Sequence, residues 1–176
     1  MRKLILYSAA SIDNFIARAG GETDWLDSQE YLIPEEDFGY KEFYDSIDTI
    51  LMGNNTYKQL LSFNLPFPYQ DKKNYVFSHT ESNKDNEYVE FISGDITAFV
   101  QNLKKGEGPN IWLVGGGQIN TYLLNNNLID KLILTVIPVI LGSGIALFAG
   151  NSPIQKFHLS SARPFSNGFV QLVYER

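Results

Sequence analysis

The chain is expected to adopt a three-layer α/β fold, with a mostly parallel central sheet and antiparallel strands at its C-terminal end. Two observations predict this. Short apolar runs alternate with helix-period segments over most of the chain, and a series of strands without intervening helices follows "DKLILTVIPVIL".

Met1–Ala10 reads as a buried strand, because Leu4, Ile5, Leu6 and Tyr7 form an unbroken apolar run. "SIDNFIARAGGETDWLD" reads as a long polar loop punctuated by glycine. Pro34 is expected to open a helix, with Tyr40, Phe43, Tyr44 and Ile47 at i, i+3, i+4, i+7 spacing. "DTILMG", Asp48–Gly53, is a second strand, and "NNTYKQLL" a short helix after it. The proline-rich "LPFPYQDKK" is a turn, "NYVFS" a third strand and "EYVEFI" a fourth. "DITAFVQNLKK" is an amphipathic helix: Ile96, Phe99, Val100 and Leu103 share a face, Asp95 sits near its start and two lysines end it. "NIWLVGGGQINTYLL" then carries an apolar strand straight through Gly115, Gly116 and Gly117 into a helix. "DKLILTVIPVIL" is another buried strand. The last two strands fall near Phe157–Ala162 and Phe169–Glu175, the latter alternating with Val170, Leu172 and Tyr174 on one face.

The 176 residues suit one domain, 1–176, with a sizeable core, and a composition of 44% apolar and 19% charged residues fits a soluble globular protein. With no cysteine there is no disulfide framework, thiolate metal site or catalytic thiol. The opening apolar run is too short for a signal peptide and no segment reaches membrane-spanning length, so a cytoplasmic location is expected. A net charge of -6 argues against a nucleic-acid surface.

In parallel sheets ligands bind beyond the carboxyl ends of the strands. That rule singles out Ala9–Ser11, Gly53–Thr56, Ser78–Thr80 and Gly115–Gln118, all small or hydrogen-bonding residues. The glycine cluster itself has two readings. It is a tight turn, or it offers bare backbone N–H groups and a helix N-terminus to an anion such as a pyrophosphate. It is not a phosphate-binding loop of the Gly-Lys-Ser/Thr type, and the usual dinucleotide fingerprint would need a glycine at Asn120. His79 and His158 have no metal-ligand spacing around them, so no metal is expected. Ser8, Ser11 and Ser78 lack a nucleophile-elbow context. The candidate acids are Asp13, after the first strand, and Glu35, Glu36 and Asp37, at the start of the first helix. Helix N-terminal charge accounts for two of the latter three. The third would face the cleft, bind a planar amidine-like heterocycle and help deliver a proton; spacing alone does not choose among them.

Five stretches together carry a resemblance covering almost the whole chain: "SAASIDNFIA" (Ser8–Ala17), "DTILMGNNTY" (Asp48–Tyr57), "KNYVFSHT" (Lys73–Thr80), "IWLVGGGQI" (Ile111–Ile119) and "LIDKLILTVIPVILGSGIALF" (Leu128–Phe148). In that order they resemble the dihydrofolate reductase-like superfamily. The last stretch, with Pro138, Leu141–Gly144 and Phe148, is closer to stand-alone relatives of the reductase domain of the riboflavin biosynthesis deaminase/reductase than to true dihydrofolate reductases. No zinc-deaminase signature accompanies it.

The resemblance implies a reductase using NADPH, with NADH not excluded. It places Gly115, Gly116, Gly117 and Gln118 under the pyrophosphate and nicotinamide, beside Ala10. It brings Gly53, Asn54 and Thr56 to the cofactor phosphates, and Ser78 and His79 to the adenosine ribose-phosphate. Asn54 stands where the family usually has Arg, a departure at the 2′-phosphate end. Asp37 falls at the register of the carboxylate that binds the pterin in dihydrofolate reductases, with Glu36 the runner-up. Asp13 is the recurrent acid of the riboflavin branch, where Asn14 replaces a motif glycine. The implied substrate is a small nitrogen heterocycle or a ribosylaminopyrimidine, and Trp25 and Phe148 are candidate walls of its cleft. A true dihydrofolate reductase and a non-catalytic nucleotide-binding protein are the alternatives. The apolar C-terminal strands further predict a homodimer.

Overall fold

In a computed structural model describing residues 1–26, 28–79 and 86–176, the first apolar run forms β1 (Leu4–Ser11), at the heart of an eight-stranded sheet. In chain order there follow β2 (Phe15–Ala17), α1 (Tyr40–Asp45), β3 (Ile47–Gly53), α2 (Asn54–Ser62), β4 (Lys73–Phe77), β5 (Val89–Ile92) and α3 (Ile96–Lys105). The remainder comprises β6 (Asn110–Gly115), α4 (Gly117–Asn125), β7 (Lys131–Ile137), β8 (Ile145–Ala146), β9 (His158–Pro164) and β10 (Val170–Glu175). The strand order is β5-β4-β3-β6-β1-β7-β10-β9. Every pairing from β5 to β7 is parallel, whereas β10 runs antiparallel to both β7 and β9. The expected architecture is therefore the observed one.

The continuous apolar runs follow from this arrangement. Successive side chains of a strand point to opposite faces, and both faces of these parallel strands are covered by helices. Leu4 and Leu6 of β1, with Ile111 and Leu113 of β6, join the core packed by Val100 of α3 and Leu123 of α4. Ile5 and Trp112, one residue out of phase, join Phe43 of α1 and Tyr57 of α2 on the other face. Buried Arg2 ties the layers at the amino end. It pairs with Asp48 and donates to Thr49 Oγ1 (2.8 Å) and to the Pro109 carbonyl (2.6 Å).

Two expectations need correction. Pro34 opens no helix, and α1 begins only at Tyr40. Glu35, Phe38 and Gly39 all have positive φ (64°, 57° and 77°), a conformation that breaks any helix through them. Ile47, assigned to that helix by its spacing, lies in β3. The loop after β1 is also less irregular than its polarity implied: β2 within it pairs antiparallel with β8 as a separate two-stranded sheet. Three residues pairing with two leave too short a pattern to recognise in sequence.

Candidate active site

The parallel strands bring their carboxyl ends to one edge, and two helices start there. Gly53 ends β3 and is the N-cap of α2; Gly116 follows β6 and is the N-cap of α4. Neither helix has a side-chain capping bond among the described residues. At the neighbouring α3, by contrast, the Asp95 carboxylate accepts the Ala98 N–H at 2.9 Å. The first N–H groups of a helix have no intrahelical partner, so α2 and α4 open with free donors and the positive end of their dipoles.

These two turns lie against each other. Met52 pairs with Gly115 across β3 and β6, and a Cβ on Gly116 would sit 3.3 Å from Thr56 Oγ1. Gly115 has φ 122°, and its peptide bond to Gly116 is cis. Gly117 is required by packing: a Cβ there would lie 2.2 Å from the Ala146 carbonyl oxygen. Of the cofactor residues singled out in the sequence, Ala10, Gly53, Asn54, Thr56, Gly115, Gly116, Gly117 and Gln118 all come to this edge. Ser78 and His79 follow β4 one strand further out, and Thr80 lies outside the described residues.

The segment that seats on α4 is held by Asp13. Its Oδ1 accepts from Ser11 Oγ (2.6 Å) and the Leu141 N–H (3.1 Å), and its Oδ2 from the Gly142 N–H (2.8 Å). The Ser11 hydroxyl, helped by the two backbone donors, holds this carboxyl below the usual carboxylate range. Leu147 N–H donates to Asn14 O (2.8 Å), Asn120 Nδ2 to Leu147 O (2.9 Å) and Ala149 N–H to Gly117 O (3.2 Å). Residues 13–17 and 141–149 thus form one backbone-locked unit against the glycine turn. Phe148 belongs to it, packing against the core on the α4 side.

Asp37 lies elsewhere, at a cavity of about 250 Å³ beyond the other flank of β1. Tyr7 and Ala9 of β1 and Thr135 and Ile137 of β7 form its floor, with Ala9 paired directly to Thr135. Leu26 and Phe169 line its sides, and Asp37, Phe38 and Tyr40 the segment across it. Trp25, the expected wall, is instead 6% exposed in a cluster with Ile137 and Phe169; its neighbour Leu26 reaches the cavity. Phe148 does not line this cavity either.

Asp37 Oδ1 accepts the Gly39 N–H and Oδ2 the Lys41 N–H, both at 2.9 Å. These bonds, the Lys41 one foremost, hold the carboxyl below its ordinary range, so it is ionised at neutral pH. Tyr7 goes the other way: burial, opposed by a bond with Gln171 and reinforced by the Asp37 charge, pushes its hydroxyl up to about 12. Tyr7 Oη and Gln171 Nε2 both donate to the Phe38 carbonyl (3.4 and 3.0 Å), and Gln171 also reaches Thr135 Oγ1 (3.3 Å). The left-handed Phe38 is thereby fixed over the cavity. Glu36, the runner-up carboxylate, is bound to Arg163 at 2.9 Å and to the Phe38 N–H at 2.8 Å. Tyr7, Thr135 and Gln171 escape sequence analysis because each lies within a strand pattern and only the pairing of β1, β7 and β10 joins them.

The comparisons with known proteins agree with this geometry. The uncharacterized protein YwjB of Bacillus subtilis (strain 168) is 41% identical over 175 residues, 99% of this chain and 98% of its own length. A crystal structure from Shewanella sp. PV-4, of a protein assigned to riboflavin biosynthesis, superposes with a TM-score of 0.87 at 28% identity, covering 99% of this chain and 98% of that one. The dihydrofolate reductase of Enterococcus faecalis, solved with NADP(H), shares the fold: the TM-score is 0.68 at 15% identity, over 99% of this chain and 96% of that one. Residues 2–171 match the RibD C-terminal domain, and the chain belongs to that family.

Proposed function

We propose that the chain is a pyridine-nucleotide-dependent reductase of a small nitrogen heterocycle, with NADPH as its cofactor. One observation carries this reading. Two glycine-capped helix N-termini open side by side at the carboxyl edge, one strand away from a cavity that holds an ionised carboxylate. β1 lies between β6, which delivers the glycine turn, and β7, which floors the cavity. A nucleotide on one flank and a substrate on the other would meet at Ala9 and Ala10.

The donors present fit a dinucleotide. The free N–H groups of α2 and α4 suit a pyrophosphate, Thr56 adds a hydroxyl, and Gly116 leaves the approach open beside it. A reduced nicotinamide bound there supplies a hydride, which reduces a C=N or C=O bond when the heteroatom also gains a proton. The protein's own residues position the substrate and exclude water. Asp37 touches it as a fixed anion. Because Asp37 is ionised at neutral pH, the proton comes with the substrate or from solvent. Tyr7 keeps its proton and donates a hydrogen bond to the Phe38 carbonyl, which fixes the segment over the cavity. Asp13 acts through the backbone unit it ties down, which makes it a positioning residue. Asn54, in place of the usual Arg, leaves NADH as a competing cofactor. The exposed edge strand β9, with Leu159 on it and Ile154 before it, supports a homodimer of 19.9 kDa subunits, which a sedimentation mass would test.

The test is a titration with NADPH and with NADH, followed by tryptophan fluorescence. Trp112 lies three residues before Gly115, and its Nε1 donates to Tyr7 O at 3.2 Å, so it is placed to report on both flanks. Saturable quenching by NADPH, followed by nucleotide oxidation with a small heterocycle, is the expected result. Absence of nucleotide binding by fluorescence and by calorimetry would remove the reading.

A further inference from the structure

We infer that the β9–β10 hairpin is a clasp that seats the loop of residues 28–39 over the cavity, and that Asn167, at the hairpin's turn, is a positioning residue. This rests on the reductase reading above and adds to it the means by which the substrate flank is held in place.

The loop has little of its own to hold it. Among the described residues its backbone–backbone hydrogen bonds are all local: Tyr31 N–H to Ser28 O, Leu32 N–H to Gln29 O and Glu36 N–H to Ile33 O, with Asp37 O and Gly39 O accepting from the start of α1. None joins it to a strand. Two of its non-glycine residues, Glu35 and Phe38, have positive φ, a conformation that persists where the surroundings enforce it. Asp37 shares this dependence. Its carboxylate bonds only the Gly39 and Lys41 N–H groups, so its place above β1 and β7 is the place of the loop itself.

The hairpin grips that loop at three points. Arg163 Nη2 donates to Glu36 Oε2 at 2.9 Å, and Gln171 Nε2 to the Phe38 carbonyl at 3.0 Å, so both chain neighbours of Asp37 are held. Further upstream, Asn167 Nδ2 donates to the Tyr31 carbonyl at 2.8 Å. Ring contacts follow the same lines. Phe38 lies 4.9 Å from Phe165 and 5.3 Å from Phe169, and Tyr31 lies 5.1 Å from Phe169, by ring centroid. Among the described residues, the Tyr7 hydroxyl supplies the other long-range hydrogen bond to the loop, at 3.4 Å.

The three grips differ in kind. The Arg163 side chain is 56% exposed, so its ion pair contributes little. Gln171 also reaches Thr135, which lines the cavity, so a change there alters the cavity as well as the clasp. Asn167 does not line the cavity. It sits in a turn closed by Phe165 N–H to Phe169 O (2.8 Å) and Gly168 N–H to Phe165 O (3.1 Å), with Gly168 at φ 86° against Pro138. Its Oδ1 accepts the Phe169 N–H at 3.1 Å, while its Nδ2 serves Tyr31. An amide carries an acceptor and a donor at once, whereas a carboxylate carries acceptors only. Asn167→Asp therefore keeps the bond that shapes the turn and cuts the one that holds the loop.

The test is amide hydrogen exchange on the whole protein, native and Asn167→Asp, with folding of the variant checked by its melting curve. Arg163→Ala, which releases the loop at Glu36 and touches no turn bond, is the second variant. Exchange over residues 28–39 is expected to rise about fivefold in Asn167→Asp and about twofold in Arg163→Ala, with residues 111–124 unchanged. In the NADPH oxidation assay, Asn167→Asp should raise KM for the heterocycle about fivefold and leave KM for NADPH within about twofold, a split that a general loss of stability does not produce. Native-like exchange over 28–39 in a folded Asn167→Asp, an equal rise over 111–124, or an equal rise in both KM values would overturn the inference. If that variant fails to fold, the exchange of Arg163→Ala decides in the same way. Exchange needs neither cofactor nor substrate, so the clasp is judged even if the native chain binds no NADPH, the result that removes the reductase reading.

Discussion

The two flanks of β1 are built from different material. The carboxyl edge toward β6 is made of backbone: glycines at the turns, helix N–H groups, and a carbonyl of residue 146 pressed against Gly117. The cavity toward β7 is made of side chains: a carboxylate, two hydroxyls, an amide and aromatic walls drawn from five separate stretches of sequence. The first flank is suited to a ligand that is the same in many proteins, because main chain offers the same donors whatever the sequence. The second can be re-cut residue by residue, and that is where members of one fold change substrate.

If the contrast is real, a single side chain should matter most on the cavity flank. Asp37→Asn should lower kcat/KM about a hundredfold, roughly 2.7 kcal/mol of transition-state binding, while leaving NADPH affinity unchanged. Parallel titration of the nucleotide checks this, and an equal loss in both quantities would erase the division between the flanks. On the other side the sensitive change is to backbone space. Gly117→Ala drives a Cβ to 2.2 Å from a main-chain oxygen and should cost about 2 kcal/mol in denaturant unfolding, with nucleotide binding weakened as well. Gly116→Ala meets only Thr56 Oγ1, at 3.3 Å, and should cost less than about 1 kcal/mol of stability. Its effect on nucleotide affinity then reports the space kept for the ligand.

Smaller effects sharpen the cavity side. Tyr7→Phe removes one donor to the Phe38 carbonyl and should destabilise by about 0.5–1 kcal/mol, with a larger relative loss in kcat/KM if the hydroxyl meets substrate. The smallest effect is one of pH. The folded-state pKa of Asp37 is depressed, so its stabilising contribution is present above the unfolded value of about 3.9 and disappears as pH falls through the folded value. Asp37→Asn should therefore be less stable than the native chain at neutral pH, and the two unfolding curves should converge below about pH 4. A gap persisting in acid would mean that the substitution acts through packing rather than charge.

The edge was legible in the sequence and the cavity was not. Gly53 and Gly115–Gly117 each follow an apolar strand directly, so the strand's end and the turn's backbone are specified within a few neighbouring residues. The cavity needs Tyr7, Asp37, Thr135, Phe169 and Gln171 together, from positions spread over most of the chain. Asp37 was found by register and Asp13 by motif, but residue type did not separate their surroundings. One carboxylate faces a cavity while the other is spent on Ser11, Leu141 and Gly142. The helix expected from Pro34 shows the same limit. Its apolar spacing is real, yet positive φ at Glu35, Phe38 and Gly39 turns that stretch into the loop that carries Asp37.

Sequence by itself determined the layers, the order along the chain of the main-sheet strands and the helices between them, and the glycine turns, because alternation, periodicity and backbone freedom are local properties. Tertiary structure alone decided which carboxylate meets open space and that Leu26 rather than Trp25 lines it. Those facts depend on the parallel pairing of β1 with β7, between residues more than a hundred positions apart, and on the antiparallel return of β10 onto β7, long-range contacts whose energies no single stretch of chain contains.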